Sequence, residues 1–191
     1  MQLWHKIRKS IVWLKILENP LFLGLIVMIL LAVITDLSAH KIPNSLVVLG
    51  LAASLLLQCF ATQGAGGLNW LLGVAVAFAC FIPLYVLRGM AAGDVKLMMA
   101  VGGFLGYPLI ITALAYSYLV GGAIAIAYVL IKGRLRLLIQ NLYSLVIDQF
   151  VKATSGVDVY DEQIIKQSVG RMPFALAIAI GTFVTLFTVV K

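Results

Sequence analysis

Charged residues are scarce in this chain, and acidic residues are the scarcest of all. Only 11% of its 191 residues are charged and only seven are Asp or Glu, whereas 63% are hydrophobic and the mean hydropathy is +1.10. A soluble globular domain has about 45–50% apolar residues. The low charge therefore excludes an ordinary soluble domain and indicates an integral membrane protein.

Cysteine and histidine are nearly absent, with two of each. Cys59 and Cys80 stand alone inside apolar runs without a CxxC pair, and His40 has no partner ligand at a metal-binding spacing outside the motif described below. Structural zinc sites need closely spaced Cys and His ligands. We therefore expect neither a metal site nor a cofactor.

The chain does contain long apolar runs flanked by basic residues. Transmembrane β-strands alternate in polarity over about ten residues, and these runs do not alternate. They predict an all-α integral membrane protein with about six transmembrane helices plus amphipathic surface helices. The excess of 14 basic over seven acidic residues fits helix orientation in a bilayer better than nucleic-acid binding. The predicted apolar segments are 20–35, 44–62, 68–87, 95–106, 109–131 and 172–190.

Two of these segments are short, because a span needs about 20 residues. Segment 20–35 is slightly short and 95–106 is clearly so, and an aspartate borders each. Such segments predict helices that begin or end inside protein or a water-filled cavity. Gly102 and Gly106 form a GxxxG pattern, which predicts close helix packing.

Basic residues also predict the orientation in the membrane. They concentrate in the connections 36–43 and 88–94, with Lys96 just beyond the second, and in 132–171. Cytoplasmic loops are enriched in Lys and Arg, so we place these connections in the cytoplasm and the chain in the cell inner membrane. Six spans then place the basic N-terminus outside, unless the first segment folds back without crossing.

Two further segments have amphipathic patterns. Residues 1–18 predict an interfacial helix, and 132–171 predict a surface helix followed by a polar cytoplasmic loop. We expect residues 19–191 to form a single membrane-embedded domain. The N-terminal segment and the first apolar run could instead be a secretory signal with a weak cleavage site at Leu37-Ser38-Ala39. This interpretation is less favoured, because several more apolar segments follow.

Asp36 and Asp94 are the two acidic residues within the predicted membrane-embedded part. Placing an acidic side chain at membrane depth costs roughly several kcal/mol of free energy, so such a residue is by default a functional candidate. Both lie on the predicted cytoplasmic side. The alternative is that each is an ordinary boundary charge, with Asp94 capping the helix that follows it.

The residues around these aspartates form two motifs, ITDLSAHKIPNSL (Ile34–Leu46) and RGMAAGDVKLMMAVGGFLG (Arg88–Gly106). Together they resemble the two signatures of type IV prepilin peptidases, membrane aspartic proteases of the GxGD class. The match is to the compact form found in tight-adherence and Caulobacter-type pilus systems. The residues that match are Asp36, Pro43 and Asn44 in the first motif, and Gly93, Asp94 and Lys96 in the second.

This resemblance implies an enzyme that cleaves the leader of a type IV pilin-like precursor at the cytoplasmic membrane boundary. Asp36 and Asp94 would be catalytic, and the four other matching residues would bind substrate or support the site. The implied partners are the precursor, the lipid bilayer and the pilus assembly machinery. Larger members carry paired CxxC motifs and methylate the product, so this chain is expected to cleave without methylating. Ala91 departs from the pattern, since it stands where the first glycine of GxGD is expected.

Peptide hydrolysis by two carboxyl groups needs one ionised and one protonated. Because Asp94 opens a helix, whose dipole favours negative charge there, we expect it to be the base, and Asp36 to hold the proton. Lys96 has two open interpretations, a headgroup contact or a contact with substrate or a neighbouring acid.

Two other functions fit the pattern in part. A preflagellin peptidase or another GxGD protease shares the two-aspartate plan. A non-enzymatic membrane subunit or ion-coupled transporter would use the aspartates as ion sites. An ion pathway needs polar groups deep in the spans, and only scattered ones such as Ser54, Gln58 and Thr112 occur there.

Overall fold

The computed structural model describes residues 18–39, 41–61, 66–86, 89–131, 133 and 174–189. Over these ranges the regular structure is entirely α-helical, which confirms the predicted all-α class. The amphipathic segments predicted at 1–18 and 132–171 lie almost wholly outside the described residues. The helices are α1 (Pro20–Ala39), α2 (Asn44–Ala61), α3 (Gly66–Val86), α4 (Ala92–Leu105), α5 (Leu109–Ile131) and α6 (Phe174–Val189).

Four of these helices are long and apolar enough to cross a membrane, namely α1, α2, α3 and α5. Helices are present at all six predicted segments, and over the described residues the remaining two, α4 and α6, are shorter than a span. Helix α4 has 14 residues and α6 has 16 described residues. At about 1.5 Å per residue they reach roughly 21 and 24 Å, less than a hydrocarbon core of about 30 Å.

Helix α1 is longer than its predicted apolar segment, because it continues through Asp36 to Ala39. The apolar run predicts an end at residue 35, where the first charge interrupts it. Within this part of α1, the hydroxyl groups of Thr35 and Ser38 donate hydrogen bonds to the carbonyl oxygens of Leu31 and Ile34 of the same helix.

The chain divides by contacts into two units. The larger consists of Met1–Gly121 with Pro173–Lys191, and the smaller of Gly122–Met172. Within the smaller unit, the structure describes the second half of α5 and Gly133. Helices α1 to α4, the first part of α5 and α6 belong to the larger unit.

Helix α4 is the centre of the larger unit. Ten of its 14 residues are buried, and it packs against α1, α2, α3 and α6, most extensively against α3. A helix with hydrophobic residues on all sides is expected in a protein interior, where other helices cover every side of it. A short helix can therefore lie at membrane depth here, enclosed by protein.

Helices α3 and α4 approach until their backbones touch. A Cβ atom added to Gly73 would collide with the carbonyl oxygen of Gly102, and one added to Gly102 would collide with that of Gly73. A Cβ on Gly106 would collide with the side chain of Asn69. The GxxxG pattern thus marks close packing, as predicted, and its partner is α3.

Side chains from neighbouring helices form hydrogen bonds with the backbone polar groups at the C-terminal end of α4. Gln58 of α2 donates hydrogen bonds to the carbonyl oxygens of Gly103 and Phe104, at 3.4 and 3.2 Å. Asn69 of α3 accepts one from the Tyr107 backbone N–H at 2.9 Å. The last carbonyl groups of a helix have no partner within it. These bonds allow α4 to end inside the protein, as its short apolar segment predicts.

Candidate functional site

Asp36 continues the buried stripe of α1. The stripe includes Leu25, Ile29 and Ala32, each at most 1% exposed, and Asp36 follows at the same helical spacing with 9% exposure. Residues three or four positions apart share one face of a helix. Its carboxyl group therefore faces the protein interior, near the C-terminal end of α1.

Asp94 lies in the first turn of α4 and is 6% exposed. Its carboxylate accepts a hydrogen bond from the Ala91 backbone N–H at 3.2 Å. This is one half of a capping box, in which the third helical residue reaches back to the N-cap N–H. Ala91 has no side-chain acceptor and makes no cap bond in return. The capping role proposed as the alternative for Asp94 is therefore real, and the carboxylate keeps further acceptor positions.

The two aspartates are both buried, on α1 and α4, and these helices pack directly against each other. Burial raises the pKa of Asp94 to about 6, the Ala91 N–H bond lowers it, and the charge of Asp36 raises it further. A like charge acts in this way only at short range within protein. The structure thus brings the two predicted carboxyl groups to one region.

The direction of this pKa change differs from the one expected. The dipole at the N-terminus of α4 predicts that the charged form of Asp94 is favoured. Instead, desolvation is the largest influence and favours the protonated form. The helix position therefore gives no reason to make Asp94 the base and Asp36 the acid.

One oxygen of Asp36 is left unsatisfied. Its Oδ2 atom is buried and has no hydrogen-bond partner in the part of the chain that the structure describes. A buried polar atom without a partner costs about 1–3 kcal/mol. A shared proton, a water molecule or a substrate group at this position would remove that cost.

Asn44 and Lys96 connect the two motifs. The Lys96 ammonium group donates a hydrogen bond to Asn44 Oδ1 at 3.0 Å. At about 100° per residue, Lys96 points to the side of α4 opposite Asp94, and no ion pair joins it to an acid among the described residues. Of the two interpretations of Lys96, contact with a neighbouring acid is not what the structure shows.

Gly93 and Pro43 lie where the first motif meets α4. A Cβ atom on Gly93 would be 3.5 Å from Ile42 Cβ, an ordinary contact distance, so Gly93 packs against the connection between α1 and α2. Pro43 is exposed and immediately precedes α2. Ile42 was not predicted, and its only sequence signal is its place beside the Pro-Asn pair.

Ala91 adopts φ −82° and ψ 152°. This is extended backbone, which any L-amino acid adopts without strain. A glycine is required only where φ is positive or where another backbone comes too close. The replacement of the first glycine of GxGD by alanine therefore carries no conformational cost at this position.

A groove of about 780 Å³ lies on the other side of α4, between α2 and α3. Neither aspartate lines it, whereas Asn44 and Lys96 both do. This groove was not predicted from the sequence. Its signal was the helical spacing of Ala92, Val95, Lys96 and Met99, which all line it. Among the described residues, no three Cys, His, Asp or Glu side chains gather as a metal site would need.

Comparison with known proteins adds one finding. Residues 23–126, more than half of the chain, match the sequence model of the type IV leader peptidase family. The matched range includes Asp36, Asn44, Asp94 and Lys96. No curated protein and no solved structure matches the chain.

Proposed function

Because the chain belongs to the type IV leader peptidase family, a family of proteases, we propose that it is a membrane aspartic endopeptidase. Its substrate would be a type IV pilin-like precursor, from which it removes the leader peptide. Asp36 and Asp94 would be the catalytic residues. The observation that carries this proposal is that two buried carboxyl groups from separate motifs lie on α1 and α4, which pack directly against each other.

The chemistry follows from the two carboxyl groups. One ionised carboxylate takes a proton from a water molecule, and the resulting hydroxide attacks the carbonyl carbon of the scissile peptide bond. The protonated carboxyl group donates to the carbonyl oxygen, and a proton reaches the leaving amine when the bond breaks. The unpaired Asp36 Oδ2 and the raised pKa of Asp94 suit such a pair.

We assign the acid and base roles to the pair as a unit. Two interacting carboxyl groups that share one proton titrate in two steps that belong to both groups. The assignment of Asp94 as the base stays a prediction whose original reason, the helix dipole, is outweighed by burial. Substrate position decides which oxygen holds the proton.

Support for the place of cleavage comes from the elements that carry the motifs. Asp36 is near the end of α1, Asp94 is near the start of α4, and the connection between α1 and α2 packs on α4 beside them. The basic connections predict that this end faces the cytoplasm. There the precursor would have its basic leader in water and its apolar segment in the bilayer.

The supporting residues would act by holding the two motifs together. Asn44 is bonded to Lys96, and Gly93 packs on Ile42 beside Pro43. With only two cysteines and no paired CxxC, the chain is proposed to cleave without methylating the product. Contact with pilus assembly proteins remains part of the proposal.

The ion-transport alternative gains no support from the polar groups in the helices. Ser54 accepts a hydrogen bond from the Trp70 indole N–H at 2.8 Å, and Gln58 bonds the end of α4. Thr112 bonds the Leu109 carbonyl oxygen of its own helix. These groups join or satisfy helices, and they form no series leading from the aspartates.

The test is cleavage of a pilin-type precursor by the full chain in proteoliposomes, followed by immunoblotting. Asp36→Asn and Asp94→Asn should each abolish cleavage while the protein still accumulates in the membrane. Glu18→Gln, which removes an exposed carboxylate, is the matched control and should cleave normally. Full activity in either aspartate variant would refute the proposal. A preflagellin precursor assayed in parallel distinguishes the two substrate classes.

A further inference from the structure

The groove between α2, α3 and α4 is apolar along most of its length and polar at one end. Val48, Phe78 and Tyr85 line it and are 63%, 43% and 43% exposed. Helices α2 and α3 are both of membrane-spanning length. Apolar side chains exposed on such helices face lipid, so the groove is open to the bilayer. Its occupant must have an apolar part that fits between two spans.

The groove and Asp94 lie on different sides of α4. A peptide bound in the groove would therefore not have its scissile bond beside the Asp94 carboxyl group. The groove's four lining residues on α4 centre about 150° around the helix from Asp94, at about 100° per residue. The backbone of α4 therefore separates an occupant of the groove from the carboxyl group. This geometry disfavours the precursor as the occupant.

The charge of the groove indicates which kind of ligand it can bind. Lys96 is the only charged residue that lines the groove among those described. An ammonium group has three donors, and its bond to Asn44 uses one. Among the residues that the structure describes, no acidic side chain lines the groove to balance this charge. The polar end of the groove is therefore complementary to an anion.

We propose that this groove binds a phospholipid with an anionic headgroup, its phosphate at Lys96 and an acyl chain along α2 and α3. Basic pockets between membrane helices recognise anionic headgroups by this combination of charge and apolar surface. The proposal does not depend on the peptidase activity. It is tested by lipid binding alone.

The first experiment compares lipids retained by the purified full chain. The protein is extracted from bilayers of equal phosphatidylglycerol and phosphatidylcholine, and bound lipid is measured by mass spectrometry. Wild type should retain phosphatidylglycerol preferentially. Lys96→Gln should lower that preference about fivefold, the contribution of one basic residue near a membrane surface. Lys96→Arg should preserve it, which separates loss of charge from loss of folding.

The matched control is Lys41→Gln, because Lys41 is exposed but does not line the groove. It should change the lipid preference by less than about twofold. Equal retention of the two lipids by wild type would overturn the proposal. An equal loss of preference in the Lys41 and Lys96 variants would also overturn it, since general surface charge would then be the cause.

A second experiment fills the groove. Val48→Phe places a larger side chain in it and should reduce the amount of lipid retained, whereas Leu49→Phe, on the same helix but outside the lining, should not. The headgroup without chains, glycerophosphoglycerol, should compete poorly. Competition as strong as that of the intact lipid would refute acyl-chain binding. A photo-crosslinker at position 48 that captures a pilin-type precursor instead of lipid would assign the groove to the substrate.

Discussion

The two ends of α4 satisfy their polar groups in opposite ways. At the C-terminal end, Gln58 and Asn69 bond the last carbonyl groups and the next N–H, and Gly102 packs directly on the α3 backbone. At the N-terminal end, Asp94 makes one bond to the backbone and the nearby Asp36 Oδ2 has no partner among the described residues. The first end is built for stability, whereas the second keeps acceptors available.

This difference places the energetically unfavourable groups at the N-terminal end of α4. A buried carboxyl group is costly when ionised, and the raised pKa of Asp94 reports that cost. Active sites commonly combine burial and like charges in this way. The well-satisfied C-terminal end can offset it by holding α4 in place. Perturbing each end of α4 in turn tests this contrast.

The pH dependence of stability should originate at the N-terminal end. Because burial raises the pKa of Asp94 from 3.8 to about 6, the folded state holds this proton more tightly than the unfolded state. Stability should be fully present below about pH 3.8 and fall as pH rises through about 6, by at most about 3 kcal/mol. Detergent denaturation between pH 4 and 7 measures this slope. Asp94→Asn should flatten it, and an unchanged slope would contradict the assignment.

Gly73→Val should disrupt the packing of α3 against the C-terminal part of α4. The added side chain would meet the Gly102 carbonyl oxygen, and backbone atoms cannot move aside easily. We expect a loss of about 2–3 kcal/mol in the free energy of unfolding. Gly67→Val, on the same helix with open space around the Cβ position, is the control for loss of a glycine. Equal effects of the two substitutions would mean that the crossing is looser than the structure shows.

Gln58→Leu should leave two carbonyl oxygens at the end of α4 without a side-chain donor. The expected cost is about 1–2 kcal/mol in the free energy of unfolding. Activity of the folded fraction should change little, because the aspartates lie at the other end of α4. Thr112→Val, which removes an exposed hydroxyl bonded within its own helix, should cost less than about 0.5 kcal/mol. A large loss of activity without a loss of stability would refute the division of roles.

Asn44→Ala should loosen the N-terminal end without unfolding it. Its bond to Lys96 is exposed, so its loss should cost about 0.5–1 kcal/mol. If this bond positions the first motif, kcat for precursor cleavage should fall more than the fraction of folded protein. Ser45→Ala, at the next exposed position, is the control. Parallel losses in the two variants would mean that the bond has no positioning role.

Ala91→Gly should have the smallest effect. Position 91 is extended and exposed, so restoring the family glycine relieves no strain. We expect kcat/KM within about twofold of wild type and a loss of stability of at most about 1 kcal/mol from added backbone freedom. A large rise in kcat/KM would show that the alanine methyl group obstructs the substrate.

Much of the fold was predictable, because long apolar runs and membrane thickness constrain it strongly. The segment 109–131 coincides with α5, and the other segments differ from their helices by a few residues. Over the described residues, four of the six predicted helices have membrane-spanning length, and the difference has a physical reason. Hydropathy reports how apolar a segment is, and it does not distinguish a helix in lipid from one enclosed by other helices, as α4 is.

The candidate site was predictable in its residues but not in its arrangement. Asp36 and Asp94 were identified because acids are rare at membrane depth. The contact of Lys96 with Asn44 and the groove beside them were missed. The apolar pattern of α4 is nearly uniform around the helix, so it does not show which face meets which neighbour.

Residues near one another in the chain were sufficient to predict the class of the protein, the approximate helices and the two acidic motifs. The folded structure was needed for the direction of the Asp94 pKa, the bonding of the α4 ends and the separation of the aspartates from the groove. These depend on burial and on contacts between distant segments, and the local order of residues does not encode either directly.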